Sequence, residues 1–437
     1  MTPRINIESR SVSSRRDMLK AATAVSLLSL AKSAFPSGAF AQAAGPETKG
    51  TKLGYIALTD AAPLIIAKER GFFAKYGVPD MDIAKQASWG SMRDNIALGT
   101  ASNGVDGGHL LRPKTHLYTT GKVIQNNQPV PMYTLLSLNE DCQGISVSNE
   151  YKDLKIGKDS SPLKEAFARK KAAGKELTAA MTFPGGTHDM WIRYWLAAGG
   201  IDPDKDIKVI VVPPPQMVAN MKVGNMDLLC VGEPWNEQLV NQDIGYSAVT
   251  TSEIWQRHPE KALAMRADWV DANPRATQAI LMAVMEAQQW CDKPENKQEM
   301  AEIIARRQWF NVPVGDIIGR LKGEVNYGLG RKVSDPALAM KFWGKNGETS
   351  YPWKSLDTWF VTENIRWGKF EPTIDIKALV DKTNRADLWR EAAKTLGLVN
   401  APSGDSRGIE TFFDGVKFDP ANPMAYLKDL KIKRVAV

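Results

Sequence analysis

The stretch "ELTAAMTFPGGTHDMWIRYWLAAGG", residues 176–200, sets the reading of the fold. Its first part, "ELTAAMTF", has the short apolar character of a strand. Its last part, "HDMWIRYWLAAGG", repeats apolar residues at helical spacing until two glycines stop it. Between them, Gly185 and Gly186 let the backbone turn sharply without a Cβ clash. Thr187 is the expected N-cap, and His188, one of four histidines, falls in the first helical turn. Unpaired N–H groups and the dipole make such a helix start an anion site. On this stretch alone His188 is compatible with an anion contact, a catalytic base, a metal ligand or packing.

The same strand–turn–helix unit recurs on both sides. "KLGYIAL" (52–58), "MDIAKQAS" (81–88) and "GVDGGHLL" (104–111) read as strands, with helices over "AAPLIIAKERGFFAKYG" (61–77) and "SMRDNIALG" (91–99). A long extended connector, "PMYTLLSLNEDCQGISVS" (131–148), follows. The alternation then restarts with strand "KDLKIGK" (152–158), helix "PLKEAFARKKAAG" (162–174), the opening unit, strand "IKVIVVPP" (207–214), helix "QMVANMKVG" (216–224) and strand "MDLLCVG" (226–232). This is the rhythm of βα units in largely parallel sheets. The final third reads as an amphipathic helix, "NPRATQAILMAVMEAQQWCDK" (273–293), a loop-rich aromatic stretch, "GKNGETSYPWKSLDTWF" (344–360), and further helix over 377–397. The pattern predicts an α/β protein of two lobes, the second inserted within the first, with a cleft between them. The expected divisions are a linker over 42–50, lobe I over 51–145, lobe II over 146–260, and the rest of lobe I with a C-terminal extension over 261–437. In open α/β sheets, ligands sit outside the carboxyl ends of the strands.

Residues 1–41 read as a leader. Arg15 and Arg16 precede a modest apolar run, and Ala39–Ala41 is a plausible cleavage site, the pattern of a twin-arginine export signal. The leader carries +4 of the chain's formal charge of +7, leaving +3. Neither half of the remainder has the dense basic stripe that nucleic-acid binding needs. Cys142, Cys230 and Cys291 form an odd set without CxxC spacing, which argues against structural zinc and leaves one disulfide or free thiols open.

Other candidates lie at strand ends. Trp89 in "QASWG" offers a flat face and one N–H donor. Gly232 in "VGEPW" allows a backbone N–H to approach a ligand closely. Gln143 in "CQG" supplies an amide and Lys261 in "HPEKA" an ammonium. Taken singly, each has an ordinary structural explanation: a core tryptophan, a strand exit, a solvated lysine. Enzyme signatures do not accumulate: no GxSxG, HExxH, Walker loop or GxGxxG occurs. His109 and His116, seven apart with Pro113 between them, have poor metal spacing, and His258 beside Pro259 reads as structural.

Together, "KLGYIALTDAAPLIIAKERGFFAKYG", "KQASWGSMRDNIALG", "MTFPGGTHDMWIRYWLAAGG", "VVPPPQMVANMKVG", "CVGEPWNEQ", "HPEKALAMRADWV" and "SRGIETFFDGVKFDP" resemble the nitrate-binding proteins of bacterial ABC-type importers and their bicarbonate-binding relatives. The resemblance spans roughly residues 50–433. It implies a type II-like periplasmic-binding-protein fold, no catalytic activity, no cofactor and no metal. It places nitrate contacts on Trp89, Gln143, His188, Gly232 and Lys261. It also implies a monomer in the periplasm that binds nitrate or nitrite and docks on a permease and its ATPase after hinge closure; the family's cyanobacterial members resemble lipoproteins, and the lack of their acylated cysteine here points to a freely diffusing protein. Trp89 and Lys261 then serve one lobe, His188 and Gly232 the other, and Gln143 lies near a hinge.

Nitrate accepts hydrogen bonds and donates none, so a matching site needs converging donors and one compensating charge. The bicarbonate relatives, by the same resemblance, use calcium and an acidic residue near the lysine position. Two departures stand out. No lipoprotein cysteine is present, and "KKAAGKEL" (170–177) adds length before a strand, lengthening a surface loop. Bicarbonate binding and a nitrate sensor of the same fold are the alternatives.

Overall fold

The computed structural model describes residues 45–436, so the leader lies outside the described residues. Two five-stranded sheets organise the rest. The first contains β1 (Lys52–Tyr55), β2 (Asp82–Lys85), β3 (Gly107–Leu111) and β4 (Met132–Ser137). The second contains β5 (Gln143–Ser148), β6 (Thr178–Met181), β7 (Lys208–Val211), β8 (Leu228–Gly232) and β9 (Gly245–Thr250). The chain then returns to the first sheet as β10 (Lys261–Arg266).

The strand orders are β2-β1-β3-β10-β4 and β7-β6-β8-β5-β9. In each, four strands run in one direction, and the strand that enters just after the chain changes sheet, β10 or β5, is antiparallel to both neighbours. This has a geometric consequence. The amino end of an inserted antiparallel strand lies beside the carboxyl ends of its parallel neighbours. Gln143 therefore pairs with Gly232, and Lys261 with Leu111.

Central strands are covered on both faces, and "LLCVG" of β8 is buried throughout, as a parallel strand between helical layers should be. At the edge, β7 is largely exposed or half-buried. The chain changes sheet over 138–142 and 251–260. Asp141, Cys142 and Arg257 adopt left-handed φ of 65°, 62° and 60°, so the two crossings turn abruptly.

Two expectations are overturned. "KDLKIGK" is not a strand: Asn149–Leu154 forms a 3-10 helix, and Ile156 follows in a loop. The Ser148 hydroxyl accepts the Glu150 N–H at 3.2 Å, and Lys155 turns left-handed at φ 47°. These local bonds and turns outcompete the apolar alternation. Within the aromatic stretch, Lys354–Arg366 is helical, with Leu356, Trp359, Phe360 and Val361 buried. Tertiary burial overrides the modest helix propensity of aromatic and β-branched residues.

The C-terminal segment straps across the molecule. Phe412 packs against Trp255, Tyr194 and Trp359 with ring centroids 4.9, 5.0 and 5.7 Å away. Arg407 donates to Glu140 at 2.6 Å and to the Arg257 carbonyl at 2.9 Å, joining the two crossings. Cys142, Cys230 and Cys291 are free and buried. Among the described residues no helix is long and apolar enough to cross a membrane.

Candidate functional site

The carboxyl ends of β1, β3, β6 and β8 and the amino ends of β5 and β10 face one another, and their side chains interlock in a fully buried cluster. Lys261 opens β10. Its Nζ lies 2.9 Å from Asp60 Oδ2, 2.8 Å from Glu260 Oε2 and 3.5 Å from Gln143 Oε1. Asp60 follows β1, and its other oxygen receives the His109 Nε2–H from β3 at 2.6 Å. Gln143 Nε2 donates to Asp60 Oδ2 at 3.1 Å. Glu260 Oε1 accepts the indole N–H of Trp191.

The amide orientation of Gln143 is fixed by Asp60, since a carboxylate accepts only from the NH₂ end. Gln143 Oε1 must then accept from His188 Nε2, 2.8 Å away, so that nitrogen carries the proton. His188 Nδ1 accepts from the Thr182 hydroxyl at 2.7 Å. A directed row results: Thr182 to His188 to Gln143 to Asp60. Gly232, opposite Gln143, leaves room for this row. A Cβ there would stand 2.5 Å from Gln143 Oε1 and 3.1 Å from Leu58 Cδ2.

Electrostatics follow the geometry. Burial raises the Asp60 carboxyl, but Lys261 and His109 outweigh it and hold the group far below the usual carboxylate range. Burial lowers the Lys261 ammonium, but Asp60 and Glu260 outweigh it and raise it. Burial pushes Glu260 up despite Lys261 and Trp191. His188 is driven well below the ordinary histidine value by burial and by Lys261, and is neutral.

Trp89 begins the helix Trp89–Leu98, whose N-cap Ser88 accepts the Ser91 N–H at 3.0 Å. Its ring lies 5.4 Å from that of His109. The indole is 1% exposed, and its Nε1 has no hydrogen-bond partner among the described residues. An unsatisfied buried donor costs about 1–3 kcal/mol, so a ligand acceptor here would relieve a standing penalty. The exits of the two sheets meet over the cluster: Thr59 N–H donates to the Glu233 carbonyl at 2.7 Å, and Trp235 Nε1–H to the Ala57 carbonyl at 2.9 Å.

All five residues expected from the sequence thus lie in one neighbourhood. Two details differ from expectation. Thr187 is the first helical residue rather than the N-cap; Gly186 takes that place, and Thr187 Oγ1 has no partner among the described residues. Asp189 accepts the Gly185 N–H at 2.8 Å and satisfies the turn instead. Second, the cluster is not made of donors alone, because Asp60 and Glu260 were missed. Asp60 stands where "LTDAAP" leaves β1, a strand end of the kind used for the other candidates. Glu260 is the neighbour of Lys261. Both signals are visible in hindsight, but neither residue type fits an anion site by itself. His109, discounted for poor metal spacing, reaches the cluster through Asp60.

The two sheets, each with an inserted antiparallel strand and a buried polar cluster between them, form the two-lobed α/β fold of periplasmic binding proteins. The crystal structure of the periplasmic nitrate-binding protein from Synechocystis shares this fold with a TM-score of 0.86, at 59% identity over 89% of this chain and 100% of that one. The nitrate/nitrite binding protein of Synechocystis sp. is 60% identical over 393 residues, 89% of this chain and 86% of the relative. A bicarbonate-binding protein of Synechococcus elongatus is 47% identical over 397 residues, 89% of this chain and 88% of that protein. The profile of the NMT1-like family matches residues 44–305. The chain belongs to that family.

Proposed function

We propose that this protein is an exported solute-binding component that captures nitrate, and nitrite with it, between its lobes and delivers it to an ABC permease and its ATPase. The observation that carries the reading is the meeting of Trp89, Gln143, His188, Gly232 and Lys261 at the strand ends of both sheets, on a scaffold 60% identical to a nitrate/nitrite binding protein. The anion sits against the unpartnered Trp89 N–H and exchanges with Gln143 Oε1 as acceptor for the His188 Nε2–H. The second Gln143 amide hydrogen, which otherwise reaches the Asp141 carbonyl at 3.5 Å, and the Gly232 backbone complete the contacts. The protein acts by binding, without turnover, as a monomer in the periplasm after twin-arginine export.

Lobe I comprises residues 51–142 and 261–437, and lobe II residues 143–260; the division expected at 145/146 would cut β5, which lies wholly in the second sheet. The crossings at 138–142 and 251–260 are the hinges, and the Thr59–Glu233 and Trp235–Ala57 bonds belong to the closed form. Binding shifts the open–closed balance by its differential affinity for the two forms.

Asp60 and Glu260 favour a second reading, since bicarbonate carries an O–H that needs an acceptor. All four carboxylate oxygens, however, already accept from His109, Gln143, Lys261 or Trp191. The Lys261 ammonium also occupies the position between the carboxylates that a cation would take. Both points favour nitrate. Calorimetry of the mature protein with nitrate, nitrite and bicarbonate, with and without calcium, tests the choice. Nitrate and nitrite should bind without calcium; calcium-dependent bicarbonate binding with no nitrate heat would establish the second reading.

A further inference from the structure

Lys114 is a buried cation beside the cluster with no part in the contacts above. It opens the helix Lys114–Thr119, just after β3, and is 0% exposed. Among the described residues no carboxylate lies within ion-pair distance of its ammonium. Its hydrogen-bond acceptor is the Trp89 backbone carbonyl at 3.4 Å. Aromatic rings form the rest of its surroundings: Nζ lies 3.4 Å from the Phe183 centroid, 4.8 Å from that of Trp89 and 5.6 Å from that of Tyr118. Trp89 and Tyr118 belong to the first sheet's helices, whereas Phe183 follows β6 of the second. The cage is therefore shut across the cleft. Cation–π contacts contribute about 0.5–2 kcal/mol each, whereas stripping water from a buried ion costs several kcal/mol.

The charge balance of the neighbouring cluster shows what this cation can do. Asp60 and Glu260 are paired with Lys261, and burial keeps His109, His188 and His258 on the neutral side. Two carboxylates against one ammonium leave that cluster negative, and a captured monoanion would add to the excess. Lys114, against the Trp89 ring whose N–H is unpartnered, is a positive charge not already matched by a carboxylate.

We propose that Lys114 is a positioning residue of the anion site: acting through Trp89, its ammonium supplies the charge that capture of a monoanion requires, and its burial under Phe183 makes lobe closure depend on that anion. Without an anion, closure buries an uncompensated cation; with one beside Trp89, the penalty is relieved. The inference rests on the nitrate reading of the site.

The groups around Lys114 set the sign of a pH effect. On the helix Trp89–Leu98, Arg93 lies 5.9 Å from the Phe183 centroid and pairs with Asp94 at 2.7 Å. On its own helix, Tyr118 is buried and pushed well up, hence un-ionised. From β3, His109 is held by Asp60. Burial and then Arg93 drive the Lys114 ammonium well below the ordinary lysine value. An adjacent anion raises it again, so capture takes up a proton, and affinity falls as pH rises through the window between the two values.

The test is nitrate calorimetry on wild type, Lys114→Met and Lys114→Arg between about pH 7 and about pH 10, below the ordinary lysine value, in buffers of different ionisation enthalpy. Wild type should take up protons on binding. Lys114→Met should bind at least about tenfold more weakly and lose the pH dependence, and Lys114→Arg should restore part of the affinity. Lys114→Met binding within about twofold of wild type, with the same pH slope, overturns the proposal. Should that variant fail to fold, Lys114→Gln takes its place, and binding within about twofold of wild type overturns the proposal equally. Absence of nitrate heat from wild type instead refutes the ligand reading itself.

Discussion

Gly232→Ala is the smallest change that should disable the site. The new Cβ would lie 2.5 Å from Gln143 Oε1, about 0.9 Å short of the ~3.4 Å at which ordinary contact begins. On its other side Leu58 Cδ2 stands 3.1 Å away, so the alanine cannot simply lean back. Gln143 must move, and it is tethered at both ends: Oε1 to His188 at 2.8 Å and Nε2 to Asp60 at 3.1 Å. Losing one neutral bond costs about 0.5–1.5 kcal/mol and one bond to a charged group about 1.5–3 kcal/mol, together roughly 2–4.5 kcal/mol. The loss divides between folding stability and affinity, because the His188 bond lies within one lobe and the Asp60 bond joins the two. At ~1.4 kcal/mol per decade, the combined loss is roughly one and a half to three decades of equilibrium constant. Nitrate calorimetry paired with thermal unfolding reads both shares. Unaltered affinity and unaltered unfolding would show that Gln143 has slack this geometry denies, and the reasoning would fail.

Three further outcomes are expected. Trp89→Phe removes a buried donor with no protein partner, so unfolding stability should be unchanged or slightly raised while nitrate affinity falls by about 1–3 kcal/mol; a parallel loss of stability would mean that the indole N–H is satisfied within the protein. Lys261→Met leaves Asp60 and Glu260 buried without their counter-ion and should cost about 3–5 kcal/mol in denaturant unfolding near neutral pH. In wild type the depressed Asp60 value contributes stability above its unfolded value that is lost as pH falls; without Lys261, burial raises the carboxyls, so the variant should be more stable at about pH 5 than at about pH 7. Phe412→Ala removes the ring stacked among Trp255, Tyr194 and Trp359 and should cost about 3–5 kcal/mol of unfolding stability; a loss well below 1 kcal/mol would show that the C-terminal strap carries little.

The alternation of strand and helix was legible because parallel strands buried on both faces read as short apolar runs, as in "LLCVG", and because glycines mark their exits. "KALAMR" of β10 and "GYSAVT" of β9 were not assigned as strands, although each spans six residues, since Gly245, Ser247, Ala248, Ala262 and Ala264 dilute the β-branched and aromatic signal and each becomes a strand by joining a sheet already built. "KDLKIGK" failed for the converse reason: its apolar residues are spaced as in a strand, yet Ser148 and Lys155 divert the backbone. Of the cluster, the donors stood out once resemblance supplied their positions. Asp60 and Glu260 did not, because a carboxylate in an anion site makes sense only once Lys261 is seen between the two. Lys114 was invisible for a related reason. Its isolation depends on Phe183, which arrives from the other sheet.

The row from Thr182 through His188 and Gln143 to Asp60 has a further consequence. Every hydrogen in it points the same way, and the carboxylate that terminates it cannot be a donor while ionised. No member can reverse alone: turning the Gln143 amide would set two acceptors face to face at Asp60 and two donors at His188. The row thus has a handedness of its own, set by its last residue. A guest that offers a hydrogen where one is expected to be received meets the resistance of four side chains, not one. Discrimination between isosteric anions becomes a collective property of the protein, and exchanging Asp60 for asparagine would soften it through Gln143 and Lys261 without replacing a side chain that faces the guest.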